Sequence, residues 1–490
     1  MLPSFKPAET LSPEQQQKAL QWVLRDGLAA QALTTLTGGA FLVSFAILLG
    51  ASNAQIGLIA AIPTVANIFQ LSTVRILRRI QNRKLLTVSA SFFGRLMYLP
   101  IALLPLWLDM HVLSIVILLL MLHHSLGAIS AGSWSAWMRD LIPGDRLGGF
   151  FSHRLAISQT LGVVLSLAAA FSLDYVELRL PDWQLESYAW LFGAGALCGM
   201  LSVYLLYRTP EPRMQPLETD IFALLRKPFQ HLNFRNLIIY QATWNFAVNL
   251  AAPFFTVYLL KRLDYSLTYV IAFTVLSQLC TIFFLRLWGR YADTYSNKAV
   301  LGICAPLYLF SILLWTFTTL PDAYWFTLPL LVIIHILGGI ATAGTSLAAS
   351  SIGLKLSPQG DAIAYLSVMS FINSASAGLA PIVGGLFADF FLNKQLSFNI
   401  SWMSGEELTV LNALSFEQWD FFFVISFLLG LYALHRLAYI EEMGTKSEGK
   451  LLKEIRREIQ REMQNLSTVS GLRSMVHLPF SLYQVLSKKK

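Results

Sequence analysis

Long apolar runs separated by short polar breaks dominate this chain. Twelve such runs fall at roughly 27–50, 55–76, 84–108, 111–138, 150–174, 188–207, 236–260, 266–288, 298–320, 324–353, 361–392 and 418–440. A helix needs about 20 largely apolar residues to cross a bilayer. In hydrocarbon the backbone must satisfy its own hydrogen bonds, so each run predicts a spanning α-helix. The fold class expected is an all-α polytopic membrane protein with twelve transmembrane helices in two six-helix halves. The first run lacks a small-residue cleavage pattern and reads as a retained span rather than a signal peptide.

Five segments follow: an amphipathic N-terminal segment 1–26, a six-helix bundle 27–207, a linker 208–235 rich in Pro and charge, a second bundle 236–440 and a basic amphipathic tail 441–490. Ser12, Pro13 and Glu14 make a helix start ahead of Leu20, Trp22 and Val23, while Leu451, Leu452, Ile455, Ile459 and Met463 form a stripe among basic residues. Both are expected to lie on the inner membrane surface, with docking of a partner as the other reading. Segment 393–417 reads as a polar extracytoplasmic loop carrying the Asn399 sequon.

Composition agrees with this reading. The chain is 55% hydrophobic and 13% charged, against about 45–50% and 25% in soluble proteins, which excludes an ordinary soluble enzyme. A net charge of +8 could indicate nucleic acid, but its placement argues otherwise. Of 36 Lys and Arg, 31 fall in the tails and even-numbered loops, four fall outside (Arg179, Lys261, Arg262, Lys394), and Arg95 lies within the third run. By the positive-inside rule both termini are cytoplasmic. Cys198, Cys280 and Cys304 sit in apolar stretches with neither disulfide nor metal spacing. No HExxH, GxSxG or intramembrane carboxylate pair points to an enzyme, and no metal or cofactor is expected.

The chain also repeats itself. HSLGAISAG from His124 matches HILGGIATAG from His335, NRKLL from Asn82 matches SNKAVL from Ser296, and Gln31–Ala32 matches Gln241–Ala242, all at offsets of about 210–214. A six-span duplication is a pattern of transporters whose halves rock about a midplane site. With GRYADTYSNK between the eighth and ninth spans, the sequence resembles the major facilitator superfamily over about residues 20–440. RILRRIQNRK, the N-half counterpart, keeps Arg83 and Lys84 but has Arg75 and Arg79 where that family has Gly and Asp. RTPEPR from Arg208 is similar to the segment after the sixth span of sugar porters, whose paired RxGRR loops are absent. SAGLAPIVGG is similar to a drug-exporter motif that belongs to the fifth span rather than the eleventh. Neither assigns a substrate.

The resemblance implies a cytoplasmic gate at Asp293 with Arg290 and Lys298, and an N-half network from Asp140, Arg146 and Arg154; the alternative is solvated charges that set topology. Polar groups at membrane depth mark the candidate cavity. Gln31, Thr34 and Thr35 share one helix face of the first span, as do Gln241, Trp244 and Asn245 in the seventh. They line a cavity or bond between helices. His124 and His335 occupy equivalent positions, where an imidazole can carry a proton or simply pack. Arg95, near mid-membrane, is an anion or coupling site or a structural ion pair. Acidic groups occur only near span ends: Asp26 and Asp140 toward the cytoplasm, Asp174 and Asp389 toward the outside. Proton coupling would use Asp26, Asp140 or a histidine; exchange and facilitation stay open.

The function expected is secondary or facilitative transport of a small solute by alternating access, in a bacterial inner membrane. The competing class is a non-transporting receptor or assembly factor acting through its basic tail. The partners expected are a small-molecule solute and the lipid bilayer, without nucleic acid, and the chain is read as monomeric.

Overall fold

Twelve spanning helices form among the described residues. The structure, a computed structural model, describes residues 5, 7–8, 12–108, 111–143, 147–213, 227–319, 323–358, 362–404 and 407–442. The first span comprises Pro13–Thr37 and Gly39–Leu48, the second Asn53–Ala66, Asn67–Phe69 and Gln70–Ile80, and the third Arg83–Leu96 and Tyr98–Leu103. Val112–Leu141, Leu147–Arg179 and Gln184–Arg208 are the fourth to sixth spans. Leu232–Lys261, Leu267–Thr294, Asn297–Trp315, Thr327–Leu356, Ala362–Phe390 and Trp419–Ala438 are the seventh to twelfth. Ten helices are long and apolar enough to cross a membrane. The broken second span and the seventh, laced with Gln241, Asn245 and Asn249, complete the twelve.

The halves repeat in three dimensions. The first span packs on the fifth and sixth, and the seventh packs on the eleventh and twelfth; third-on-fourth is matched by ninth-on-tenth, and second-on-fourth by eighth-on-tenth. Between halves, the second span meets the eleventh and the fifth meets the eighth, again equivalent pairs. These crossings concentrate at the end of the bundle away from the Lys- and Arg-rich loops, called here the far end. Small residues let the backbones approach there: a Cβ on Gly385 would stand 2.8 Å from Ala54 Cα, and one on Gly57 would collide with the Pro381 carbonyl.

One correction concerns the N-terminal segment. Ser12 caps the first helix through a reciprocal pair with Gln15 (3.3 and 3.0 Å), but the helix then continues from Pro13 into the membrane instead of lying on its surface. Ala19 and Val23 are fully buried against Trp137, Met138 and Leu141 of the fourth span and Val203 and Leu206 of the sixth. Burying this stripe on protein and extending an existing helix satisfies the apolar face without lipid. Linker residues 214–226 and the tail beyond Glu442 lie outside the described residues.

A second correction concerns 393–417. β1 (Gln395–Ser404) and β2 (Glu407–Glu417) form an antiparallel hairpin with a register irregularity at Phe398/Asn399. Exposed Leu396, Phe398, Ile400 and Trp402 alternate with Ser397, Asn399 and Ser401, the period of a strand. An Arg262–Glu417 ion pair (2.8 Å) ties its base to the end of the seventh span.

At the basic end, two carboxylates clamp helix starts within each half. Glu211 accepts from the backbone N–H of Arg83 (2.8 Å) and Lys84 (3.2 Å) at the start of the third span. Glu442 accepts from Asn297 N and Nδ2 (3.3 and 2.9 Å), Lys298 N (2.8 Å) and Lys355 Nζ (3.2 Å) at the start of the ninth. Burial by itself raises the Glu442 carboxyl, but the bonds from Lys298, Asn297 and Lys355 outweigh it and hold it below the ordinary Glu range. A depressed folded-state value contributes stability above the unfolded pKa that is lost as pH falls through the folded one. Glu442→Gln is therefore expected to lower unfolding stability by roughly 1–2 kcal/mol at neutral pH, with the gap to wild type closing below about pH 4. Thermal unfolding of the purified protein across pH checks this, and a gap independent of pH would refute the clamp.

Candidate functional site

Two cavities are lined by the candidate residues, one between the halves and one mostly within the C half. One, of about 700 Å³, is walled by the first, second, third, fourth, fifth, seventh and eighth spans. Gln31, Thr34 and Thr35, which share one face of the first span, line it with His124 of the fourth, joined by Tyr98 of the third, His123, Gln159 and Gln278. Gln31 Nε2 donates to Thr35 Oγ1 (3.1 Å), which holds both side chains on one line. Gly162 of the fifth span makes room, since a Cβ there would stand 2.9 Å from Gln31 Nε2. The first span is interrupted in this wall: Gly38 is extended and Gly39 has φ +56°, a value that favours glycine.

The other cavity, of about 730 Å³, lies between the seventh, tenth and eleventh spans. It is lined by Gln241, Trp244 and Asn245, again from one predicted face, with Asn373 of the eleventh span. Gln241 donates to the Ala349 carbonyl (2.8 Å) and accepts from Asn373 Nδ2 (2.5 Å), while Asn245 donates to the Gln241 carbonyl (2.8 Å). Trp244 is fixed by its rings' neighbours Tyr240 and Tyr308, with centroids 6.4 and 5.9 Å away. The two cavities meet at the second span, where Pro63 lines one and Thr64 the other.

His335 departs from expectation. It lines neither cavity; its ring stacks on Phe273 at 4.8 Å and meets Trp315 edge-on at 5.6 Å, and its Nδ1 is held by the Leu331 carbonyl (2.8 Å). The repeat places it opposite His124, but the C-half supplies aromatic neighbours that enclose the ring. His124 instead faces its neighbour His123 (4.9 Å between ring centres), which is bonded through Nδ1 to the Gly94 carbonyl (2.8 Å).

Arg95 also turns away from the cavities. It donates to the Gly199 carbonyl (3.1 Å) and has Asp26 as its electrostatic partner. Buried Asp26 accepts in addition from Ser202 and from Arg154 Nη2 (3.3 Å). Arg154 is therefore in this network rather than in the loop gate expected. Gly27 admits it: a Cβ there would stand 2.8 Å from Arg154 Cζ. Burying opposed charges together with hydrogen bonds is what membrane depth demands.

The basic-end gate differs from expectation as well. Asp293 is exposed, and neither it nor Arg290 enters an ion pair among the described residues. Lys298 instead donates to the Ala438 (3.0 Å) and Ile440 (2.8 Å) carbonyls at the end of the twelfth span. Asp140 does form an N-half pair, with Arg83, whose guanidinium also reaches Glu211 (3.2 Å), Ala136 O (3.1 Å) and Pro212 O (2.7 Å). Arg83 and Glu211 form this network with Asp140, Arg154 does not join it, and Arg146 lies outside the described residues.

The far end carries two contacts that sequence reasoning passed over. Asp174, ending the fifth span, accepts from the N–H of Leu267 (3.0 Å) and Thr268 (2.8 Å) at the start of the eighth. Asp389, ending the eleventh, accepts from Asn53 N (3.1 Å), Asn53 Nδ2 (2.9 Å) and Ala54 N (2.9 Å) at the start of the second. Each crosses between halves, and each caps N–H groups that have no intrahelical partner. The separation of the two aspartates in sequence matches the repeat, which is the signal that could have found them.

No family model matches the sequence, and no curated protein matches it. Solved structures do. A mutant form of the nucleoside transporter NupG superposes with a TM-score of 0.65 at 12% identity, over 87% of this chain and 100% of that one. A D-xylose–proton symporter follows with 0.60 at 14%, over 88% and 98%. A bacterial homologue of the human lysosomal transporter Spinster, inward-facing and unoccupied, gives 0.59 at 12%, over 89% and 100%. The repeated helix pairs, the cavity between halves and these likenesses converge: the chain has the twelve-helix, two-half fold of the major facilitator superfamily.

Proposed function

We propose that the protein is a transporter that moves a small solute by alternating access between its two halves. The observation that carries this reading is the pair of equivalent carboxylate caps that close the far end across a polar cavity, while the inter-half crossings are concentrated at that end. The excess of Lys and Arg in the tails and even-numbered loops of the sequence supports a cytoplasmic position for the other end, and in that orientation this is the inward-facing state. In that state Asp293 and Arg290 have no ion pair among the described residues, and they form their contacts when the cytoplasmic side closes. Exposed pairs of this kind contribute about 0–1 kcal/mol, weak enough to be remade in every cycle. Gln31, Thr34, Thr35, Gln241, Trp244 and Asn245 contact the solute, with His124 beside them. The structural neighbours are named as carriers of a nucleoside and of xylose, so a small-molecule substrate fits the fold. The receptor reading depends on the tail beyond Glu442, and nothing in the described residues favours it.

Solute counterflow into proteoliposomes, run over a chemically diverse panel with and without a pH gradient, tests the proposal; no saturable flux for any class would refute it. Where flux is found, Gln241→Ala and Asn245→Ala are expected to weaken apparent affinity about tenfold, the effect of roughly 1.4 kcal/mol of lost contacts, with folded protein retained. Unchanged kinetics in both would remove the cavity assignment.

The caps give a separate expectation. A cap contributes typically about 1 kcal/mol, so replacing both Asp174 and Asp389 by Ala is expected to raise the far-end-open population about 30-fold. Spin labels at the far ends of the second and eleventh spans report this by pulsed EPR. An unaltered distance distribution would mean that the caps do not hold the gate.

A further inference from the structure

The wall between the halves carries no fixed charge. Among the described residues lining either cavity there is no Asp, Glu, Lys or Arg. The charged groups at membrane depth in the N half are consumed internally: Asp26 by Ser202 and Arg154, and Arg95 by the Gly199 carbonyl. A charged solute entering this space would shed its hydration and meet no counter-ion, which is strongly unfavourable.

Neutral hydrogen-bonding groups take the place of charges. Gln159 and Gln278 project into the first cavity with no side-chain hydrogen bond among the described residues, and each amide offers both donors and an acceptor. Thr256 adds a hydroxyl that does the same, while Thr274, whose hydroxyl donates to the Val270 carbonyl (3.0 Å), adds an acceptor. In the second cavity the Oδ1 of Asn373 is buried without a partner among the described residues, so it awaits a donor. A solute that satisfies such a wall must present neutral groups able both to donate and to accept, as hydroxyls and amides do.

From this wall we infer that the substrate is an uncharged polar solute that both donates and accepts hydrogen bonds, a class to which sugars and nucleosides belong. The inference rests on the transporter reading and narrows it to one chemical class.

Matched solutes that differ in charge test it. Counterflow in proteoliposomes is measured with labelled D-glucose, D-xylose and uridine as neutral members, and with gluconate, glucose 6-phosphate and glucosamine as charged counterparts. The expected result is saturable flux of at least one neutral member, with its charged counterparts competing at least tenfold less well. Saturable flux of a charged member that no neutral member competes with overturns the substrate class and leaves the transporter standing. No saturable flux for any member of this or the wider panel overturns both. A second arm keeps side-chain volume and adds charge: Gln159→Glu and Gln278→Glu are each expected to shift the glucosamine-to-glucose competition ratio about tenfold toward the cation. Unchanged ratios in both folded variants would overturn the inference.

Discussion

The start of a helix has backbone N–H groups with no partner inside the helix, and at a membrane boundary little water is available to take them. This protein meets that constraint with carboxylates borrowed from other spans, at equivalent places in each half. Glu211 and Glu442, each just past the last span of its half, clamp the third and ninth helices. Asp174 and Asp389, each ending a span, clamp the eighth and second helices of the opposite half. The first pair makes each six-helix bundle a unit. The second pair decides how the two units meet.

This division sets what can move. Within a half, Glu211 and Arg83 are almost wholly buried and share several bonds, so separating them would expose uncompensated charge. Between halves, each aspartate caps a helix end at the edge of the interface, where water can replace the protein donors once the gap opens. The glycine contacts of the second and eleventh spans add close packing but no ionic tie. The weakest surface in the molecule is thus the one between the repeats, and a rocking motion needs only that surface to yield.

Much of this organisation was legible in the sequence because membrane insertion imposes long signals. Apolar runs gave spans close to their observed ends, and the repeat gave the pseudo-symmetry. The polar faces at Gln31 and Gln241 gave cavity walls, since a helix face is fixed by its period alone. What a period does not fix is the neighbour opposite. His335 and His124 share a repeat position, yet Phe273 and Trp315 enclose one while the other stays in the wall. Arg154 read as a loop charge because Gly27, the space that receives it, carries no signal of its own. The strand alternation of Leu396, Phe398, Ile400 and Trp402 was written in the chain, but it is short beside the helical runs around it.

The interruption at Gly38 and Gly39 has a consequence for how recognition is encoded. The helix that restarts at Gly39 does so in the cavity wall, and no side chain caps its start. If a solute binds in this cavity, the bend shapes part of the surface it meets, whatever the surrounding side chains are. Side-chain truncation scans would pass over it, and divergent sequences could retain it so long as the bend survives. Specificity here is written partly in backbone shape, a record that residue identities alone do not keep.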